Sequence, residues 1–151
     1  MYYNPGMDGY DFEKLSREII VKQVGMMEEK QAEAAAQMAE KILVAALKST
    51  HQRQEPALTV KATCRGVLGG MMFIHQELPI AAVLILKELG HVSHETHFSA
   101  EELMTWAMQG MAEIAAVAGA PTAHAMESAI EEALMGAGPV FAELYKKACA
   151  S

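Results

Sequence analysis

The chain has 151 residues, enough for one domain with a real core, and 52% of them are hydrophobic against 21% charged. A net charge of −7, with the Lys and Arg residues scattered rather than clustered, argues against a nucleic-acid backbone or an anionic membrane surface as partner. The apolar share is a little above the ordinary globular one, so self-association is expected to cover part of it.

Residues 1–10, MYYNPGMDGY, are rich in Gly, Pro, Asn and Tyr and read as a flexible arm without the basic start or apolar run of a signal peptide. The remainder, 11–151, reads as a single all-helical domain. From Asp11 to about Ser49 there is no proline, and Ile20, Val24, Met27, Ala34, Met38, Ile42 and Ala45 recur at helical spacings. One helix over this stretch would be about 55–60 Å long, more than a compact domain can bury. It either bends near Gly25 or protrudes and pairs with a second chain, with Met27 and Met38 in the apolar seam.

Glu55-Pro56 stops one helix and opens the next. Over 57–75, Leu58, Val60, Ala62 and Cys64 alternate with polar residues as a strand would, but no second strand-like run offers a partner, and a helix is expected. Gly66 and Gly70 share one face of that helix and predict the close approach of another. Pro79 opens PIAAVLILKEL, apolar on nearly every side and therefore central, with Gly90 as its expected stop. Ser99-Ala-Glu-Glu102 is a capping box, with Phe98 and Leu103 at the staple positions. The helix it starts runs to about Ala118, with Gly119 beyond; Pro121 opens another, which Gly138-Pro139 kinks or breaks. The expected fold class is all-α: a bundle of five or six helices with a long N-terminal amphipathic helix.

The longest apolar runs, GVLGGMMFI and LPIAAVLIL, are about half the length of a membrane-spanning helix, so no membrane is expected as partner. Two cysteines, Cys64 and Cys149, without a CxxC pair suit reduced thiols and a cytoplasmic location. Cys64 beside Arg65 has the setting of an activated thiol, against which stands simple burial in a helix. RGVLGG is glycine-rich but lacks the lysine of a phosphate-binding loop, so close helix packing is the better reading.

The stretch GHVSHETHFSAEE has the most chemical character, because it holds His91, His94 and His97. On a helix these three trace a slanted row, with Glu88 behind it and Glu95 close to His91, and such a set could ligate zinc or iron. Known spacings give little support. His94-Glu-Thr-His97 is one residue short of HExxH, and Glu88-Leu-Gly-His91 matches the ExxH of di-iron bundles without the second copy that such a site needs. The alternative is a solvated turn with histidines near a helix C-terminus, where they interact well with its dipole. The stretch is expected to be such a turn.

A helical chain of this length with a histidine two-thirds along and two long final helices is similar in outline to the globin fold. Globins set a phenylalanine against the haem and a proline in the short helix before it. Here the phenylalanines are Phe12, Phe73, Phe98 and Phe141, and residues 35–50 carry neither mark.

No catalytic set assembles in the sequence, so an enzyme is not expected. The function expected is a non-catalytic helical interaction or regulatory module. It would be homodimeric, bind no cofactor, and offer methionine-lined faces to a protein partner. The alternative is a metal- or haem-binding protein, a globin-like sensor, holding zinc, iron or haem through His91, His94 and His97 with Glu88 or Glu95.

Overall fold

The structure, a computed structural model, describes residues 11–49 and 54–150; among them it holds seven α-helices, one π-helical segment and no strand. In chain order they are α1 (Phe12–Ile19), the π-helical segment (Ile20–Val24), α2 (Gln31–Lys48), α3 (Pro56–Phe73) and α4 (Leu78–Glu95). There follow α5 (Ala100–Ala118), α6 (Ala120–Ala133) and α7 (Ala137–Ala150). The all-α class is as expected, with more helices than the five or six anticipated. The arm expected at 1–10 lies outside the described residues.

Several boundaries fall where the residues put them. Pro56 sits in the first turn of α3, where its missing N–H costs nothing, and the strand alternative over 57–75 gives way to helix as far as Phe73. Ser99 Oγ accepts from the Glu102 amide at 3.1 Å while a Glu102 carboxylate oxygen accepts from the Ser99 amide at 3.2 Å, which completes the capping box. Beside it Leu103 is buried, and Phe98 meets Trp106 edge to face at 5.7 Å.

The single long N-terminal helix is not formed. Gly25 N donates to Ile20 O at 3.0 Å, five residues back, so the helix widens into the π segment and the chain leaves it at Gly25. A Cβ there would overlap the Val21 carbonyl and press on Ile74. The chain re-enters a helix only after Lys30, whose φ of 60° is left-handed. Both halves bury a face in the same core, so the apolar spacing continues across the break and conceals it. Met27 lies in the connection and Met38 on α2, half-buried against the core, so no one helix carries both.

Gly90 does not end its helix either. A glycine stops a helix by turning left-handed, and Gly90 keeps its φ negative, with open space where a Cβ would stand. The stop comes at Thr96, in extended conformation. There Thr96 Oγ1 donates to Val92 O and Ser93 Oγ to Phe98 O, each at 2.8 Å. Likewise Gly138-Pro139 does not break a helix but lies in the first turn of α7; the break is earlier, where Gly136 takes a φ of 94°.

Alternate helices pack side by side. In one layer Glu13 and Ser16 meet Gly66, Ile20 meets Gly70, and the backbone of Lys61 meets Gly110, so α1, α3 and α5 run parallel. Cβ atoms at Gly66, Gly70 and Gly110 would clash with the neighbouring helix, which is the close approach that Gly66 and Gly70 predict. In the other layer the Lys48–Glu95 pair aligns α2 with α4, and grooves joining Pro79 to Pro121 and Lys87 to Glu132 align α4 with α6. α7 packs on α5 and α6. One core fills the space between the layers, with Leu43, Leu68, Ile85, Leu86, Leu89 and Met111 fully buried, each worth roughly 1.5–3 kcal/mol.

This arrangement gives the stack two ends. At one end lie the N-termini of α1, α3 and α5 and the C-termini of α2 and α4, with the histidine stretch. At the other end lie the connections 25–30, 74–77 and 119, which join the two layers.

Candidate functional site

At the histidine end, His91 and His94 lie on the last turns of α4 and His97 in the connection beyond it, all three exposed. Glu95 is also exposed and pairs with Lys48 at 3.7 Å; Glu88 is half-buried. His91 and Glu95 share a groove of about 540 Å³ with Glu40, Lys41, Val44, Ala45 and Lys48, whereas His94, His97 and Glu88 do not line it. The structure therefore brings His91 and Glu95 together and spreads the other candidates. Among the described residues no three His, Cys, Asp or Glu side chains group closely enough to hold a metal ion.

Midway along the stack a charged ladder ties α1, α3 and α5 together. Arg65 Nη2 donates to Glu13 at 2.6 Å and Arg65 Nη1 to Glu113 at 2.8 Å; Lys61 Nζ meets the second oxygen of Glu113 at 2.7 Å. The two carboxylates and two cations satisfy one another across three helices, and half-burial strengthens the charge-assisted bonds. Arg65 is thus engaged away from Cys64, and burial pushes the Cys64 thiol up to about 12, the opposite of activation.

The third region is the end opposite the histidines. Gly25 stands against Ile74, and Met72 and His75 share a groove of about 440 Å³ with Ala118 and Pro121, so the three connections at that end form one surface. At or beside these connections Met26 is 84% exposed, Phe73 67% and Val117 71%, although none of the three lines the groove. Met27 is exposed as well, and Leu78 and Pro79 line the groove. Through Pro79 this groove meets a second, of about 400 Å³, along α4 and α6, where Ile80 is exposed.

Backbone strain gathers at the same end. α3 closes with two reversed bonds, His75 N to Met72 O at 3.0 Å and Gln76 N to Met71 O at 2.9 Å, a geometry that places residue 75 in the left-handed region. Glycine takes that position without strain, yet His75 holds it at a φ of 62°. The only other non-glycine with positive φ among the described residues, Lys30, is at this end too, as is the π segment.

Phe73, Val117 and His75 are not candidates in the sequence reading, and Met26 enters it only as one of the methionines expected on apolar faces. A local signal for three of them exists, because each large apolar side chain stands within two residues of a helix stop: Met26 after Gly25, Phe73 before His75, Val117 before Gly119. Side chains there are carried past the packed part of the helix and into solvent.

Comparison with known proteins finds no matching family model, no similar characterised sequence and no similar solved structure. Among the described residues, no helix is long and apolar enough to cross a membrane.

Proposed function

We propose that the chain is a non-catalytic helical interaction module and that the apolar end is the surface by which it meets another protein chain, whether a second copy or a different protein. The observation that carries this reading is that Met26, Phe73 and Val117, one at or beside each of the three connections at this end, are all strongly exposed, and that Met72, Leu78, Pro79 and Ala118 from two of those connections line a groove there. Water contact with a contiguous apolar surface costs free energy that binding recovers, and such patches mark interaction sites. The strained His75 supports it: strain at an exposed position persists where the conformation serves something besides stability.

Methionines suit the role, since flexible thioethers adapt to varied apolar partners. The charged ladder has the opposite character, every charge being answered within the chain, and it supports a structural role in holding the layers in register.

Selection of helical peptides from a random display library against the full chain tests the reading. Recovered peptides are expected to lose binding to a Phe73→Ser/Val117→Ser variant and keep it to Leu58→Ser, which alters a half-exposed apolar residue at the other end. Peptides indifferent to Phe73 and Val117 would place the binding surface elsewhere.

A further inference from the structure

We infer that a second copy of this chain packs on the outward face of α4 and α6, with Lys87 of each copy against Glu132 of the other. That face runs along the side of the stack, so the inference goes beyond the reading of the apolar end and is tested apart from it.

The two layers are finished differently. The middle helix of one, α3, presents Lys61 and Arg65, and both are paired with carboxylates of the helices beside it. The middle helix of the other, α4, has no polar side chain from Leu78 to Leu86. Its inner face buries Leu78, Ala81, Ala82, Ile85 and Leu86, which leaves Ile80 55% exposed and Val83 and Leu84 half-buried. A helix with one side in water ordinarily carries polar residues there, whereas one that is apolar all round is covered all round. Beside it α6 adds Ala129 and Ala133, and the groove of about 400 Å³ between the two helices is completed by Pro79, Lys87 and Glu132.

Charge and area choose the occupant. Lys87 and Glu132 are the only charges lining this groove, and both are exposed at its histidine end. Neither has an ion-pair partner among the described residues. A two-fold axis along the groove, parallel to the helices, lays α4 of one copy on α6 of the other. Each Lys87 then meets a Glu132 across the axis, and the apolar residues close on one another beside them. A two-fold axis across the helices would instead bury each Lys87 against Pro79 and Ile80, at the cost of an unpaired charge. A foreign helix of one charge sign would answer only one member of the pair. The neighbouring groove on the α2 side holds Glu40 and Glu95 against Lys41 and Lys48, so apart from His91 it adds no net charge. Helices of 18 and 14 residues set about 9 Å apart present a face of about 25 by 20 Å. Two such faces bury roughly 1,000 Å², the lower limit for a specific interface, so the dimer is expected to be weak.

Sedimentation of the full chain tests this at about 150 mM salt, where screening confines the repulsion between two chains of net −7 to about 8 Å. A dimer is expected at about 100 μM that dissociates toward about 1 μM. Ile80→Glu should raise the dissociation constant at least about tenfold by placing a charge in the apolar contact. Lys87→Glu and Glu132→Lys should each weaken the dimer, because like charges then meet at both contacts. Mixed in equal amounts, these two variants should form a heterodimer at least about tenfold tighter than either alone, because opposite charges meet again at both contacts. That recovery between separate chains cannot arise from a contact within one chain. The three residues are exposed, so the variants are expected to fold, which circular dichroism checks. Phe73→Ser/Val117→Ser should leave the dimer intact, so failure here and failure of the apolar end as a docking surface are read separately. A monomer at about 200 μM would overturn the inference. So would a dimer that withstands Ile80→Glu, or one without preference for the mixed pair. A dimer dissociated by Phe73→Ser/Val117→Ser but not by Ile80→Glu would overturn it in favour of the apolar end.

Discussion

At the histidine end α1 starts on Asp11, whose carboxylate accepts from Lys14 N at 2.9 Å, and α5 starts on the Ser99–Glu102 box, while α3 starts on Glu55 with a first-turn proline and no side-chain cap. At the apolar end α2, α4 and α6 start on Lys30, Glu77 and Gly119, none of which makes a side-chain cap, although α4 and α6 have a proline in the first turn. The helix ends differ likewise. α4 closes at the histidine end with two hydroxyl bonds to carbonyls, whereas α3 closes at the apolar end by forcing His75 left-handed. One end is finished with polar groups that satisfy the backbone locally, and its surface is hydrophilic there: His91, His94, Glu95, His97, Glu101 and Glu102. Leu58, Val140 and above all Met135, 93% exposed, are apolar exceptions on that side. The other end leaves apolar side chains in water and backbone under strain. The proposed interaction surface would account for that contrast, because neither exposed apolar side chains nor a left-handed His75 favours folding.

The comparison holds only if the two ends are parts of one rigid stack, and the largest expected effect tests that. Gly110 meets the backbone of Lys61 so closely that even a Cβ would overlap the Lys61 carbonyl. Gly110→Leu is expected to cost about 3 kcal/mol or more in a urea titration, because backbone cannot step aside as a flexible side chain can. It should also cut peptide binding at the apolar end, some turns away, by separating α3 from α5. A loss under about 1 kcal/mol would mean that the helices yield and that the ends are not held in register.

Two substitutions of opposite sign sharpen the contrast. Ser99→Ala removes the side-chain partner of the Glu102 amide and is expected to lower stability by about 1 kcal/mol. His75→Gly relieves a left-handed residue worth about 1–2 kcal/mol, offset by about 0.5–1 kcal/mol of extra chain entropy in the unfolded state, so it should raise stability by about 0.5–1 kcal/mol. His75→Ala keeps the strain and should not. Thermal or urea unfolding of the three variants reads all of these. If His75→Gly lowers stability, the imidazole makes contacts that outweigh its backbone cost, and the apolar end is less strained than its φ indicates.

Part of the histidine end was readable from sequence because those devices are local, whereas the turn expected after Gly90 is helix as far as Glu95 and leaves only His97 in a connection. A capping box spans four residues, and Pro56 announces a helix start by itself. The close approach at Gly66 and Gly70 could be read for the same reason, as a pair four residues apart on one face. The apolar end is assembled from connections near residues 25, 75 and 118, and no window of sequence contains more than one of them. The ladder escaped in the same way: Arg65 sits beside Cys64 in sequence, but its partners lie 52 and 48 residues away. Gly25 and Gly90 show the limit of glycine as punctuation. Where the chain leaves the π segment Gly25 is required, since a Cβ would overlap the Val21 carbonyl and press on Ile74, whereas Gly90 stands in open space and the helix runs through it.

The smallest expected effect concerns the residues with the most chemical character. His91→Ala, His94→Ala and His97→Ala together should change stability by no more than about 0.5 kcal/mol, the range of surface substitutions away from special features. All three side chains are exposed, and none donates or accepts a hydrogen bond among those that shape the turn, which are supplied by Ser93 and Thr96. His91 and His94 near the C-terminus of α4 contribute by interacting with its dipole, a few tenths of a kcal/mol each when charged, and alanine partly offsets that loss through its higher helix propensity. A bound metal would make the same triple change far costlier. It would tie His91 to ligands that the structure sets apart from it, and it would stabilise the folded chain by its own binding free energy. Elemental analysis of protein purified without an affinity tag, paired with urea titrations of both forms, distinguishes the two. About one equivalent of zinc or iron in the wild type, lost in the triple variant together with a drop in stability beyond about 1 kcal/mol, would make the histidine end the working surface and reverse the comparison between the ends.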